Sequence, residues 1–349
     1  MSLARQLAGI RAGEWSAREL WEAHRGKEDR YRAFVRRFDD FVEPRPGLLH
    51  GAMLTIKDSI HVAGVPTTCG SRYPLAPRPA ADATCVARLK AAGATIVGKT
   101  NCPEFLANYE TDNAIVGRTV EDVRLLFEVL AGYDVADPFS VPMGLRPAET
   151  EGVKIGLVEQ FPMAPEIRAA VLEAAAMLGG AEPFEFAGFG RAHRCWDFFF
   201  NVLSDPLKRE IMAGEPGLAH WTGLELLQDP PAAPTGVEVV KQFAVRDKLR
   251  VALLQQMEET PVLLLPSCSV TAFLPRERDW NGVGLLEAMS CLTPFNLFGM
   301  PGLTVPMRVS GAGLPIGVQL VGRPYSEELL LALGEKLERV RGVFPCVIS

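Results

Sequence analysis

Among the residues able to do chemistry, Lys57 has the most informative surroundings. It ends the apolar run Ala52-Met-Leu-Thr-Ile-Lys57-Asp58, a pattern suited to a short buried strand. An ammonium drawn into a sheet loses hydration, so its pKa falls and the neutral amine can serve as a general base. The plainer alternative is a strand-end lysine that pairs with Asp58 or stretches its stem to water, and spacing alone favours that alternative. A second stretch, Gly93-Ala-Thr-Ile-Val-Gly98-Lys99-Thr100, matches the phosphate-binding loop literally. That loop needs a preceding strand and a helix N-terminus at its lysine. Here a helical pattern precedes it, 94–97 is itself strand-like, and Asn101-Cys-Pro103 continues poorly as helix. The match is read as coincidence, and nucleotide hydrolysis stands only as a contrasting reading. His193 and Cys195 lie two apart on an expected helical segment beside the aromatic run Trp196–Phe200, a spacing ill suited to a base–nucleophile pair. None of the twelve serines sits in a GxSxG elbow, and HExxH is absent.

The elements that must position these residues follow from periodicity and caps. Leu3, Leu7 and Ile10 share one helical face. Ser16-Ala-Arg-Glu19 reads as a capping box opening a second, charged helix toward Phe38. Strand 52–56 follows, then a helix over 83–92 capped by Asp82 and ended by Gly93, then strand 94–97. Thr119-Val-Glu-Asp122 opens a helix with Val120, Val123, Phe127 and Leu130 on one side. Strand 153–158, helix 165–178 and strand 261–265 continue the alternation. A hairpin of 303–309 and 316–321 turns around Ser310-Gly-Ala-Gly313, and a last helix begins at Ser326. Helices alternating with short apolar strands predict an α/β protein whose mixed central sheet is flanked by helices on both faces. The Pro-rich stretch 229–234 is the best linker candidate, read as joining helices within one domain.

Several blocks, in order, resemble the amidase signature family. They include His50-Gly-Ala-Met-Leu-Thr-Ile-Lys57-Asp58-Ser-Ile, Ala63-Gly-Val-Pro-Thr-Thr-Cys-Gly70-Ser71, Ala81-Asp-Ala-Thr-Cys-Val-Ala-Arg-Leu-Lys-Ala-Ala-Gly93 and Gly98-Lys-Thr-Asn-Cys-Pro-Glu104-Phe. Thr111-Asp112-Asn113 and Arg118-Thr-Val-Glu-Asp-Val continue the match. Thr293-Pro-Phe-Asn296, Pro301-Gly-Leu-Thr-Val-Pro306 and Pro315-Ile-Gly-Val-Gln-Leu-Val-Gly-Arg323-Pro324 resemble the family's closing segment. The resemblance implies that family's fold and hydrolysis of a carboxamide with no cofactor and no metal. It also implies a catalytic set of a nucleophilic Ser, a bridging Ser and a Lys, the last mapping to Lys57. In that chemistry a neutral Lys takes a proton through the bridging hydroxyl while backbone N–H groups hold the oxyanion.

The chain departs from the pattern where the serines belong. The family's Gly-Gly-Ser-Ser-Gly-Gly block and its nucleophile block should follow Thr111-Asp112-Asn113, and neither is present. Instead Ala114-Ile-Val-Gly117-Arg118-Thr119 runs directly into the Arg-Thr-Val-Glu-Asp helix. The expectation is a single amidase-like domain over 1–349 that is missing part of its central core, with an internal deletion junction near 114–119. Lys57 is then the remnant of a Ser-Ser-Lys triad. Ser59, two residues beyond it on the same strand direction, lacks identifiable oxyanion donors and is not read as a replacement. The expected outcome is an amidase-family protein without hydrolytic activity; the alternative is a non-catalytic remnant or interaction subunit.

Composition sets the partners. The 349 residues carry 36 basic and 42 acidic side chains for a net charge of −6. The 27 Arg and 9 Lys are scattered, so no nucleic-acid footprint is expected. No segment reads as a membrane span or secretory signal. Seven dispersed cysteines with no CxxC favour free thiols and a cytoplasmic location over a disulfide framework or zinc site. A small amide substrate is the partner if the chain is active. Sheet edges left open by the missing core point toward a homo-oligomer.

Overall fold

Helix formation at the N-terminus obeys its local signals. α1 (Leu3–Arg11) is capped by the Ser2 hydroxyl, which accepts from the Arg5 N–H, and buries Leu3 and Leu7. α2 (Ala17–Arg25) carries the complete capping box of Ser16 and Glu19 but stops at Gly26, so the helix expected toward Phe38 does not form. The Asp29 carboxylate accepts from the Ala33 and Phe34 N–H groups at 2.8 and 3.0 Å. The chain leaves this turn as strand β1 (Phe34–Arg37), not as helix.

These elements belong to the first of two compact units, Met1–Leu145 with Asp205–Pro231. The second is Arg146–Ser204 with Ala232–Ser349. The structure, a computed structural model, describes every residue except 31, 74–77, 105–115, 139, 220–231, 273–278, 281–282 and 345–349. Unit one holds a three-stranded sheet in the order β1-β3-β2. β2 (Met53–Lys57) runs parallel to β3 (Thr95–Thr100), and β1 is antiparallel to β3 on its other side. β3 therefore extends three residues past the expected Val97 and absorbs Gly98-Lys99-Thr100 as strand. Helix α3 (Thr84–Ala91) starts from Ala83 without a side-chain cap. Asp82, expected as that cap, instead accepts from the Ala63 N–H and holds Lys90 Nζ at 2.8 Å. α4 (Val120–Leu130) has the expected Thr119 cap on the Asp122 N–H. Leu7, Ile56, Val86, Leu89 and Leu126 meet in one core, so α1, α3 and α4 cover the sheet. α7 (Asp205–Ala213) belongs to the same unit, where the Tyr73 hydroxyl donates to the Met212 and Glu215 carbonyls.

Unit two is built on a five-stranded mixed sheet, β5-β4-β6-β10-β9. β4 (Ile155–Leu157) lies parallel to β5 (Glu182–Pro183) and β6 (Val262–Pro266). The expected hairpin forms as β9 (Gly302–Val309) and β10 (Pro315–Gly322), with β10 also antiparallel to β6. All five β6 residues are buried, as a continuous apolar run in a central strand requires. Leu263 and Leu265 join Phe189, Leu253 and Phe295, bringing α6 (Phe189–Asp197), α8 (Gly236–Gln256) and α10 (Thr293–Phe298) onto one face. α5 (Pro165–Leu178) and α11 (Glu327–Arg341) also pack against the sheet. A short antiparallel pair, β7 (Asp279–Trp280) with β8 (Val283–Gly284), leads into α9 (Leu285–Ala288). The α/β class with mixed sheets flanked by helices is thus as expected, distributed over two mixed sheets and the small β7-β8 pair among the described residues.

Candidate functional site

Lys57 is the last residue of β2, half-buried, and registered against Thr100 of β3. One position earlier in the register, Ile56 is paired with Lys99. Strand alternation therefore puts Lys99 on the face of Ile56, which lies in the apolar core, and Lys57 on the opposite face. The fully buried lysine of this sheet is Lys99, not Lys57, as the strand-end alternative for Lys57 allows.

Lys99 is compensated on every side the structure shows. Its Nζ lies 2.9 Å from Asp58 Oδ1, with both side chains 1% exposed. It also donates to Thr67 Oγ1 at 3.0 Å and to the Pro66 carbonyl at 3.2 Å. Thr67 Oγ1 in turn meets His61 Nδ1 at 3.0 Å. The second Asp58 oxygen accepts from the Thr68 N–H and hydroxyl. So the Asp58 that the sequence offers as a local mate for Lys57 is committed to Lys99. Its backbone closes the site as well: the Asp58 N–H donates to the Thr100 carbonyl, and its carbonyl accepts from the Cys69 N–H.

Two thiols stand within electrostatic range of both lysines. Burial pushes the Cys69 thiol up, with Asp58 adding to the shift and Lys99 and Lys57 opposing it. Burial and Asp58 push Cys102 up to about 11. Both are protonated at neutral pH and are poor nucleophiles. Gly70 sits between them at φ +69°, and a side chain there would strike the Cys102 carbonyl, so the Cys69-Gly70-Ser71 turn requires glycine at its centre.

Ser71, Ser267 and Ser290 are engaged in structure, whereas the buried Ser269 hydroxyl has no hydrogen-bond partner among the described residues. Ser71 Oγ donates to Glu104 Oε1 at 3.0 Å and accepts from the Tyr73 N–H. Ser267 donates to the Gly317 carbonyl and Ser290 to the Glu287 carbonyl. Ser59 is not aligned along the strand with Lys57: the chain turns there, and the Ile60 N–H donates back to the Lys57 carbonyl. Residues 114 and 115, at the start of the expected deletion junction, lie outside the described residues, as do 111–113; Gly117 and Arg118 lead straight into α4. His193 and Cys195 lie on α6 as expected, His193 Nδ1 at 2.8 Å from Thr293 Oγ1 and the Cys195 thiol donating to the Gln242 carbonyl. Among the described residues no group of three or more His, Cys, Asp or Glu side chains is placed to hold a metal ion.

Sequence reasoning missed the Asp58–Lys99 pair because the β-branched run ends at Val97. Period-two alternation gave no signal for it, because a bulge where Leu54 and Thr55 of β2 meet Ile96 and Gly98 of β3 shifts the register and puts Lys99 on the face opposite Thr95.

Comparison with known proteins gives this arrangement a family. The A-type subunit of the glutamyl-tRNA(Gln) amidotransferase from Roseiflexus sp. (strain RS-1) is 26% identical over 414 residues, covering 84% of this chain and 83% of the relative. Among solved structures, a chain from a vestigial protein complex bearing on the evolutionary origins of an s-triazine catabolic enzyme superposes with a TM-score of 0.84 at 21% identity, covering 99% of this chain and all of that one. The A-type subunit of the same amidotransferase from Thermotoga maritima superposes with a TM-score of 0.72 at 20% identity, covering 94% of this chain and 93% of that one. The amidase family's sequence model matches residues 29–120 and 230–331, more than half of the chain, and the chain belongs to the amidase family.

Proposed function

We propose that this chain is a non-hydrolysing amidase: a carbon–nitrogen hydrolase scaffold that keeps Lys57 but has lost the two serines the lysine would serve. The observation that carries the reading is the direct passage from Thr111-Asp112-Asn113 to Gly117-Arg118-Thr119, with no serine between. The alignment with the Roseiflexus relative supports it, because 414 aligned positions exceed the whole 349-residue chain even though only 84% of the chain takes part. The family match also breaks after residue 120 and resumes at 230. On this reading 1–349 is one amidase-like domain with a deletion junction near 114–119.

The consequence for chemistry is large. Losing one oxyanion donor alone costs about 3–4 kcal/mol of transition-state stabilisation, and losing the nucleophile costs more. With both serines and their loop gone together, the proton relay that would join Lys57 to an amide is broken. A role as one member of a complex suits such a scaffold: the relatives are named as amidotransferase subunits, and one structural neighbour comes from a protein complex. Its partners are then proteins or a small amide ligand, and we place it in the cytoplasm on the cysteine pattern. No described helix is long and apolar enough to cross a membrane.

The test is ammonia release from the purified chain over a panel of aliphatic and aromatic amides. No turnover above the uncatalysed rate is expected. Steady turnover that disappears in Lys57→Ala would overturn the reading, by showing that a surviving nucleophile works with Lys57.

A further inference from the structure

The aromatic run Trp196–Phe200 plays no part at the Lys57 site, and unit two gives it an organisation of its own. α6 passes directly into a π-helical turn, Phe198–Val202, a wide turn often associated with function. The rings of His193, Trp196 and Phe200 form a nearly parallel ladder, with centroids 6.4 and 4.6 Å apart and interplanar angles of 10° and 13°. His193 anchors the ladder through Thr293 Oγ1. Phe199 turns the other way, against Phe243 at 4.8 Å, and the Arg246 guanidinium lies 4.9 Å over the Phe243 ring.

Trp196, Phe199, Phe200, Arg246, Asn296 and Leu297 line an open cleft of about 280 Å³. Phe200 is 38% exposed and Phe243 42%, a display of aromatic surface that folding alone does not require. Apolar walls with a few directional polar groups are the usual make-up of a small-molecule site. Here the walls are flat rings and the polar groups are a guanidinium and a carboxamide. The first favours stacking of a planar ring, and the second favours a carboxylate held by a planar cation. The volume leaves room for one ring or a fused pair. Arg246 presents Nε and Nη2 to Asp247 Oδ1 at 2.9 Å. That pair is exposed and adjacent in sequence, so it is weak and an incoming carboxylate can compete with it.

We propose that this cleft binds a planar aromatic carboxylate, its ring against Phe200 at the exposed end of the ladder and its carboxylate toward Arg246 and Asn296.

The test is calorimetry on the full chain with benzoate, benzamide and cyclohexanecarboxylate as probes. Benzoate should bind tightest of the three. Arg246→Gln should weaken benzoate about tenfold and leave benzamide unchanged. Asn296→Asp should also weaken benzoate selectively, by repulsion, whereas Asp247→Asn should tighten it severalfold by releasing Arg246. Phe200→Ala should weaken benzoate and benzamide alike. Asn296 and Asp247 are exposed, so their variants keep the test decisive even if Phe200→Ala fails to fold. Equal binding of benzoate and cyclohexanecarboxylate, indifference of benzoate to the Arg246 and Asp247 variants, or no heat at millimolar benzoate would each overturn the proposal. Binding is read without turnover, so this result and the ammonia-release result fail independently.

Discussion

Two lysines on neighbouring strands make opposite demands. Lys99 is wholly buried and its charge is balanced by Asp58, so removing either partner strands the other charge in the core. Lys99→Met is expected to destabilise the chain by about 3–5 kcal/mol. Lys57→Met, at a half-buried strand end, should change stability by less than about 1 kcal/mol. Urea unfolding of the two variants checks the contrast, and equal losses would contradict it. Adding Asp58→Asn to Lys99→Met should recover part of the loss, because the stranded charge is then gone. His193 sets a pH dependence. Burial pushes its pKa below the usual histidine range, with Asp197 opposing. A depressed folded-state pKa means that the unfolded chain takes the proton first. The contribution is therefore intact above about pH 6.5 and is lost as pH falls below that value toward the folded pKa. His24, pushed down by burial and by Arg37 and Lys27, acts in the same direction. Urea midpoints measured between pH 7.5 and 5 should fall, and His193→Asn should flatten the slope.

At the scale of elements, the start of α4 joins local and tertiary bonding. Thr119 Oγ1 caps the Asp122 N–H at 3.1 Å. The Asp122 carboxylate, 1% exposed, accepts from the Arg118 N–H at 3.0 Å and from the Ala4 N–H of α1 at 2.9 Å. Thr119→Ala should cost about 1 kcal/mol, the ordinary value of a cap. Asp122→Ala leaves two backbone donors without their acceptor and should cost more, about 2–3 kcal/mol. Amide exchange separates the two: Thr119→Ala should loosen only the first turn of α4, whereas Asp122→Ala should also expose the Ala4 amide. Protection at Ala4 unchanged in Asp122→Ala would show that the cross-link does not hold α1. β3 shows the same interplay in a strand. Gly98 and Lys99 have little intrinsic strand preference, yet β1 on one side and β2 on the other keep the pairing going through Thr100.

At the scale of the molecule, each main sheet described ends in two edge strands. In unit one β1 and β2 form the two edges around β3, and in unit two β5 and β9 do the same. Open edges are templates for pairing with another chain. If, on the proposed reading, a deleted core would have extended the sheet beside β2, the purified protein should self-associate. Sedimentation equilibrium should return a mass above the single-chain 38.0 kDa, with a broad, concentration-dependent thermal transition. A 38.0 kDa species that unfolds cooperatively at high temperature would mean that this chain presents no open edge to a second copy.

What the sequence determined by itself lies in short-range chemistry. The capping box at Ser16, helix 165–178 with its proline at the start, the hairpin around Ser310 and the apolar strand read over 261–265 were legible because caps, turn residues and apolar periodicity act within a few residues. So was the family, whose motif blocks survive in order, and so was the lack of the serine blocks, which is a property of the chain and not of its folding. Tertiary structure decided the rest. Residues 34–37 became strand because β3 supplied an antiparallel partner that no local pattern announces. Asp82 left its cap position for Ala63 and Lys90, contacts nineteen and eight residues away. Which lysine is buried also depended on β3 being clamped between two strands. That clamp turned Gly98-Lys99 from a loop-like motif into strand and delivered Asp58, 41 positions away in sequence, to the buried ammonium. Long-range pairing of this kind costs loop-closure entropy that is offset only in the assembled core, so it leaves little trace in the residues that flank it.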